Sequence, residues 1–283
     1  MSEKKETWIY TIHCPDAPGV VAKVAGLVYE VAGMIRESKE FNNAESLEFF
    51  MRVEFDIDEM TDEIKEKFAN LSKELKGEYG LYNANKKLST IIMVSKEAHC
   101  LNGLLFRNRA GVLNIDIKAI VGNHNDLKEL ADFYGIPFHH IPVTKETKKE
   151  AEQELRDLVK EYEIDLVILA RYMQILSEEL CEDMHGNIIN IHHSFLPSFK
   201  GARPYKQAHD RGVKMIGATA HYVTSDLDEG PIIDQEVLRV DHNADVKKLM
   251  ELGRDTEVLA LSSAVLLHAE HRVLLDGHRT VVF

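Results

Sequence analysis

The sequence predicts an α/β protein of two domains, with a small α+β domain over residues 1–85 and a mostly parallel α/β domain over residues 86–283. Three observations support this prediction. A length of 283 residues suits one large or two ordinary domains. The first part of the chain has strand and helix patterns in the order of a small sandwich. The second part alternates short apolar runs with amphipathic helices, which is typical of a parallel sheet covered on both faces.

Composition and charge exclude several classes of protein. The chain is 45% apolar and 29% charged, so it can bury a core. Its net charge of −13, with no dense Lys/Arg run, argues against a nucleic-acid partner. The scattered Cys14, Cys100 and Cys181 give no disulfide framework, and we expect reduced thiols. No secretory pattern begins the sequence and no apolar run reaches the roughly 20 residues of a membrane span, so we expect a cytoplasmic protein without a membrane partner.

The first domain is predicted to contain four strands and two helices. Apolar residues at helical spacing define the helices, and runs of aromatic and β-branched residues define most of the strands. The predicted segments are a strand over 8–13, a helix over 20–32, strands over 34–41 and 46–57, a helix over 61–75 and a strand over 80–85. This order predicts a ferredoxin-like α+β sandwich.

A turn precedes the first helix, with the pattern Asp16-x-x-Gly19-Val20. It resembles the ACT domain family, whose members bind small molecules, often amino acids, at such a turn and commonly pair edge to edge. The resemblance implies an effector site at Asp16, Gly19 and Val20 and a homo-oligomer. The alternative is a purely structural dimerisation module in which Asp16 only caps the helix.

The second domain follows a polar linker over residues 83–87. Five strands alternate with helices, and a pair of longer strands, a long helix and two short strands complete the chain. The predicted strands cover 88–94, 116–122, 137–142, 164–170, 187–191, 214–223 and 232–240, with short ones around Asp276-Gly277, and the helices cover 100–108, 125–134, 148–161 and 244–270.

Polar side chains lie where two of the predicted parallel strands end. Asn190 and His192 are two residues apart on one strand, so they face the same way. The segment 172–176 follows the preceding strand. Ligands of parallel sheets bind beyond the carboxyl ends of the strands, so we expect a site here. Asn-x-His alone remains a weak indicator of function.

Two motifs carry a specific resemblance. Asn190-Ile191-His192-x-Ser194-x-Leu196-Pro197, followed by Leu227-Asp228-x-Gly230-Pro231, resembles the formyltetrahydrofolate hydrolase and transformylase superfamily, with its Rossmann-like formyltransferase domain. The match implies that Asn190, His192 and Asp228 are catalytic. An ACT-type domain together with the sequence from His193 to Pro197 resembles the formyltetrahydrofolate deformylase family. That resemblance implies hydrolysis of 10-formyltetrahydrofolate to tetrahydrofolate and formate, with folate as substrate and no cofactor.

The residue types suit this chemistry. The Asn190 amide can donate to the oxyanion of a tetrahedral intermediate. His192 can carry a proton near neutral pH, and Asp228 can orient the water and favour a charged imidazole. The alternatives are a folate-dependent transformylase that passes formyl to an amine such as a purine precursor, and a folate or amino-acid sensor without turnover.

The loop after the first strand of the second domain favours water as the acceptor. Transformylases of the resembled superfamily that use a phosphorylated amine carry a glycine-rich phosphate loop there. In this chain, Ser95-Lys96-Glu97-Ala98-His99-Cys100 has no glycine, and Glu97 would repel a phosphate.

Further residues are candidates for substrate contact. If the resemblance holds, the segment after the fourth strand supplies apolar walls and backbone groups to the flat folate, although Met173, Ile175 and Leu176 could instead be core residues. His193 would point away from His192 if the strand continued. The histidines show no zinc-binding spacing, so we expect no metal. The alternative for His221 is a structural hydrogen bond. Lys200 and Arg203 could meet the glutamyl carboxylate of the substrate. The predicted substrate-binding residues are Tyr172, Met173, Gln174, Ile175, Leu176, His221 and Ser225.

Overall fold

The chain divides into two compact units in the computed structural model, which describes residues 5–197 and 204–283. The first unit comprises Met1–Lys87, Glu270–Asp276 and Val281–Phe283, and the second comprises Leu88–Ala269 and Gly277–Thr280. The predicted second domain, residues 86–283, therefore differs from the second unit at its C-terminal end, where Glu270–Asp276 and Val281–Phe283 group with the first unit. Side chains of the first unit bind these late segments: Arg52 Nε donates to the Glu270 carbonyl at 3.2 Å, and Asn43 Nδ2 to Asp276 Oδ2 at 2.7 Å.

The first unit has the predicted ferredoxin-like order. Its antiparallel sheet is arranged β2-β3-β1-β4. Its elements are β1 (Glu6–Pro15), α1 (Val20–Glu30), β2 (Met34–Asn43), β3 (Glu48–Ile57), α2 (Asp62–Glu74) and β4 (Glu78–Asn83). Thr61 begins α2 because its hydroxyl accepts a hydrogen bond from the Ile64 amide. Tyr10 and Phe68 are fully buried in the core, where the Tyr10 hydroxyl is hydrogen-bonded to Ser72 Oγ at 2.7 Å.

The second unit contains a seven-stranded sheet with the order β11-β10-β9-β8-β5-β6-β7. Its elements are β5 (Leu88–Val94), α3 (His99–Arg109), β6 (Ile115–Gly122), α4 (Lys128–Tyr134), β7 (Phe138–His140), α5 (Lys148–Glu161), β8 (Leu166–Leu169), α6 (Glu178–Asp183), β9 (Ile188–His192), α7 (Pro204–Asp210), β10 (Met215–Tyr222), β11 (Ile232–Arg239) and α8 (Val246–Ala269). The short strands β12 (Val273–Asp276) and β13 (Arg279–Val282) pair with each other.

The mostly parallel sheet predicted from the sequence is confirmed. Strands β5 to β9 pair in parallel, while β10 pairs antiparallel with both β9 and β11. All four residues of β8 are buried, as a strand covered on both faces requires. From β5 the chain proceeds first to β6 and then, on the other side, to β8. Such a reversal of strand order opens a crevice beyond the carboxyl ends, so the loops after β5, β8 and β9 lie where a ligand is expected.

Two short helices of the second unit were not predicted. Helix α6 begins at Ser177, whose hydroxyl accepts from the Leu180 amide, and two glutamates follow in its first turn. This capping pattern was available in the sequence. Helix α7 covers Pro204–Asp210. In the parts of the chain that the structure describes, no helix is both long and apolar enough to cross a membrane.

Candidate active site

A cavity of about 260 Å³ lies beyond the ends of β8 and β9 in the second unit. Its walls come from the segment after β8, the end of β9, the end of β10 and the loop that follows β10. The structure brings all the predicted catalytic and substrate-binding residues to this one cavity. They are Asn190, His192, Asp228, Tyr172, Met173, Gln174, Ile175, Leu176, His221 and Ser225.

His192 and Asp228 form a pair in the wall of the cavity. His192 ends β9 and is 6% exposed, and its Nδ1 lies 3.3 Å from Asp228 Oδ1. Because a carboxylate can only accept, Nδ1 carries the proton that is donated. This hydrogen bond holds the pKa of Asp228 below its usual range. The other ring nitrogen, Nε2, is buried without a hydrogen-bond partner among the described residues, so in the neutral ring it keeps a free lone pair.

Asn190 is paired with a second histidine. His221 is the residue of β10 opposite Asn190 in the strand register, and Asn190 Nδ2 lies 3.2 Å from His221 Nε2. His221 Nδ1 lies 2.8 Å from the Tyr222 carbonyl, which can only accept a hydrogen bond. His221 therefore donates through Nδ1 and accepts the Asn190 N–H at Nε2. Burial lowers the pKa of His221, which favours this neutral form.

The loop that carries Asp228 explains the glycine near the end of its motif. Asp228 has a φ of 57°, in the left-handed region that aspartate tolerates better than most residues. Two residues later, Gly230 passes so close to β10 that an added Cβ would lie 1.8 Å from the Tyr222 carbonyl oxygen. Only glycine fits this approach, which fixes the loop and brings the Asp228 carboxylate to His192.

The segment after β8 forms another wall of the cavity. The Met173 amide donates to Ser95 Oγ at 3.0 Å, which ties this segment to the loop after β5. Met173 and Ile175 are 61% and 58% exposed, so the alternative that they are core residues is wrong. Tyr172 and Leu176 do pack against the core cluster of the second unit. The segment therefore exposes the side chains of Met173 and Ile175, while the hydrogen bond to Ser95 and the packing of Tyr172 and Leu176 hold its backbone in place.

His193 also lines the cavity, contrary to the expectation that it points away. The reason is that β9 ends at His192, so strand alternation does not apply to the next residue. The centroids of the His192 and His193 imidazole rings are 4.9 Å apart. Burial, together with the charge of Arg171, lowers the pKa of His193 to about 4, so this ring is neutral near pH 7. Lys200 and Arg203 lie outside the described residues.

A buried carboxylate near the cavity was not predicted. Glu257 of α8 is 2% exposed and its oxygens lie 2.8 Å from Tyr205 OH, 2.7 Å from His99 Nε2 and 3.4 Å from Arg171 Nε. Burial by itself raises the pKa of Glu257, but the hydrogen bond from His99 and the charge of Arg171 bring it below the usual range. No local motif indicates these contacts, because the four residues come from distant parts of the sequence.

The same cluster contains a possible set of metal ligands. Among the described residues, ligand atoms of His99, Cys100 and Glu257 lie within 4.8 Å of one another. However, Glu257 already accepts hydrogen bonds and faces the guanidinium of Arg171, which would repel a cation. The absence of a metal from the reaction remains a prediction.

The predicted effector residues lie in the first unit. Helix α1 begins after Gly19, which has a φ of 91° and makes no side-chain capping bond. Asp16 does not cap α1; its carboxylate accepts instead from Asn42 Nδ2 at 2.5 Å. Val20 is buried in the core. Capping therefore does not explain Asp16, and an effector role for this exposed carboxylate remains a prediction.

Known proteins match this chain in both sequence and structure. The formyl transferase family model matches residues 88–265. Formyltetrahydrofolate deformylase from Corynebacterium is 46% identical over 277 residues, which cover 97% of each chain. The chain belongs to the formyltetrahydrofolate deformylase family. A solved deformylase from Burkholderia mallei, also 46% identical, matches 98% of this chain and 99% of its own with a TM-score of 0.95. Glycinamide ribonucleotide transformylase 1 from Symbiobacterium toebii is 27% identical, with a TM-score of 0.66, and covers 72% of this chain and 98% of its own.

Proposed function

We propose that this protein hydrolyses 10-formyltetrahydrofolate to tetrahydrofolate and formate. The observation that carries the proposal is the state of His192. Its Nδ1 is engaged by Asp228, its Nε2 has no hydrogen-bond partner among the described residues, and both His192 and Asn190 of the same strand line the cavity. A general base with an oriented, unoccupied nitrogen next to an amide donor is the arrangement that water attack on a formyl group requires.

The reaction begins with a water hydrogen-bonded to His192 Nε2. The water oxygen attacks the formyl carbon while its proton passes to Nε2, and the Asp228 carboxylate stabilises the resulting imidazolium across 3.3 Å. The oxygen of the tetrahedral intermediate accepts the Asn190 N–H that His221 does not use. The imidazolium then protonates N10 of the folate as the carbon–nitrogen bond breaks. Tetrahydrofolate leaves with that proton, and the formic acid formed carries the water oxygen and releases the second water proton to solvent to give formate.

Binding of the folate is assigned to the remaining walls of the cavity. The exposed Met173 and Ile175 offer apolar surface to a flat ring, and the supported backbone of this segment offers hydrogen-bonding groups at its polar edge. Ser225, in the loop before Asp228, lines the same cavity. A cavity mostly walled by apolar groups and carrying a few fixed polar groups is typical of sites for small molecules.

Incubation of the purified protein with 10-formyltetrahydrofolate and no acceptor tests the proposal. We expect stoichiometric formate and tetrahydrofolate. If formate appears only when an amine acceptor is added, the transformylase alternative replaces hydrolysis. If folate binds but neither product forms, the chain is a sensor without turnover. His192→Ala should bind folate yet release no formate, which separates the catalytic site from the binding site.

We also propose that the first unit pairs with a second copy of the chain and binds an amino-acid effector. Its edge strand β2 exposes Met34, Ile35 and Phe41, which is unusual for an edge that remains free in solution. Sedimentation equilibrium should report an oligomer, and Phe41→Lys should shift it towards monomer. A panel of amino acids should change the rate or the assembly state, and Asp16→Ala should abolish that response. If no amino acid in the panel changes the rate or the assembly state, dimerisation is the only role left for the first unit.

A further inference from the structure

The guanidinium of Arg171 is a largely buried charge whose hydrogen-bond donors are unused. Arg171 lies just after β8, lines the catalytic cavity, and has a side chain that is 15% exposed. A Glu257 oxygen lies 3.4 Å from its Nε as an ion pair, but Nε makes no hydrogen bond with the described residues. Buried donors are nearly always paired in folded proteins, so a guanidinium of this kind in a cavity wall indicates an acceptor that a ligand supplies.

The strand register places Arg171 near the reacting groups. Leu169, the last residue of β8, pairs in parallel with Asn190 of β9. Arg171 and His192, two residues farther along each chain, therefore leave the sheet at the same edge, and neighbouring strands are only about 4.8 Å apart. Both residues line the same cavity. An acceptor bound to Arg171 would thus lie beside the carbon that is attacked rather than at the far end of a folate.

The positive charge of Arg171 extends to this part of the cavity. His193 lines the cavity too, and the charge of Arg171 lowers the pKa of its ring. The carboxylates of Glu257 and Asp228 raise the same pKa, each by less than Arg171 lowers it. The wall around Arg171 therefore favours an anion, and a mostly buried guanidinium favours one with two oxygens in a plane.

We propose that Arg171 forms a subsite for a small carboxylate inside the catalytic cavity, and that this subsite receives formate as it is produced. The inference rests on the proposed hydrolysis and adds a residue to its last step. The planar formate ion can accept two parallel hydrogen bonds from the guanidinium. Because Arg171 stabilises the anion, it favours the loss of the second water proton from formic acid to solvent.

A titration with formate tests the subsite without turnover. Saturation-transfer NMR detects the single C–H proton of sodium formate when it binds, and sodium chloride keeps the ionic strength constant. Arg171→Gln removes the charge, whereas Arg171→Lys keeps the charge and loses the planar fork. Arg239→Gln is the matched control, because Arg239 is an exposed arginine of β11. The probe for the other carboxylates of the substrate is p-aminobenzoylglutamate.

Formate should bind equally to wild type and Arg239→Gln. Arg171→Gln should bind it about tenfold or more weakly, the effect of one hydrogen bond to a charged group, and Arg171→Lys should lie between the two. Nitrate, an anion of similar shape, should compete with formate on wild type. Inhibition of 10-formyltetrahydrofolate hydrolysis by added formate should follow the same order of variants.

Two results would overturn the proposal. One is equal affinity of wild type and the Arg171 variants for formate; if Arg171→Gln does not fold, the comparison of wild type with Arg171→Lys decides. The other is a loss of affinity for p-aminobenzoylglutamate but not for formate, which would assign the guanidinium to the glutamyl end of the substrate.

The two proposals fail in different ways. If wild type releases no formate from 10-formyltetrahydrofolate, the proposed hydrolysis is refuted. The NMR titration uses formate itself, so it still decides whether Arg171 binds a small carboxylate.

Discussion

Replacement of Asp228 by asparagine tests the catalytic pair with little change of shape. Two unit charges at the 3.3 Å between Asp228 Oδ1 and His192 Nδ1 attract by about 5 kcal/mol at an effective dielectric constant of about 20. The Asp228 side chain is 19% exposed, so solvent reduces this value, and about 3 kcal/mol is a realistic stabilisation of the imidazolium. That corresponds to about 100-fold in rate. Loss of the hydrogen bond that orients the His192 ring lowers the rate further. The upper limit is the full loss of general acid–base catalysis, which is about 10²- to 10⁴-fold.

We therefore expect Asp228→Asn to lower kcat by about 10²- to 10³-fold. Formate release under single-turnover conditions measures the chemical step, and equilibrium binding of a folate analogue measures the site. Binding should be nearly unchanged, because Asp228 acts on the imidazolium rather than on the ground state. The control is Asp226→Asn, an exposed carboxylate of the same loop. A decrease of less than about tenfold, or an equal decrease in the control, would refute the assignment of Asp228.

Three further predictions concern the same site. Asn190→Ala should lower kcat by about 10²- to 10³-fold without weakening folate binding, and a parallel rise in Kd would assign Asn190 to binding instead. Gly230→Ala should abolish formate release and lower the melting temperature, because its Cβ would overlap the Tyr222 carbonyl, whereas Gly26→Ala has open space and should be neutral or stabilising. Burial lowers the pKa of His221, so the unfolded chain binds more protons below about pH 6.5 and stability falls as the pH falls. Denaturant unfolding across pH should show a weaker acid dependence for His221→Gln than for wild type or for His185→Gln, an exposed control.

The fold followed from the sequence because its signals are local. Helix α5 was predicted over the residues that it occupies, since Ala151, Leu155 and Leu158 repeat at helical spacing and are buried. The order of strands and helices in the first unit likewise predicted its topology. The grouping of the C-terminal segments with the first unit does not follow from the sequence, because it depends on hydrogen bonds such as the one from Arg52 to Glu270, more than two hundred residues apart.

The candidate site was predictable to the extent that short motifs encode it. Asn190 and His192 share a strand face, and the tight approach of Gly230 to β10 gives the Asp228 loop a recognisable sequence. The Glu257 cluster had no such signal. Its residues are single members of ordinary helices and loops, and only the packing of α3 and α8 brings His99 to Glu257.

Two histidines lie near the Asp228 carboxylate, and the proposed mechanism uses only one of them to carry a proton. Nδ1 of His192 lies 3.3 Å from Asp228 Oδ1 and Nε2 of His221 lies 3.8 Å from it. Protonation of His221 at Nε2 would break its bond from Asn190, release that amide from its orientation and place a charge in a buried position. Protonation of His192 at Nε2 breaks no hydrogen bond of the described residues, and Asp228 Oδ1 lies closer to His192 Nδ1 than to His221 Nε2. In the proposed mechanism, His221 therefore orients the oxyanion donor, and His192 transfers the proton.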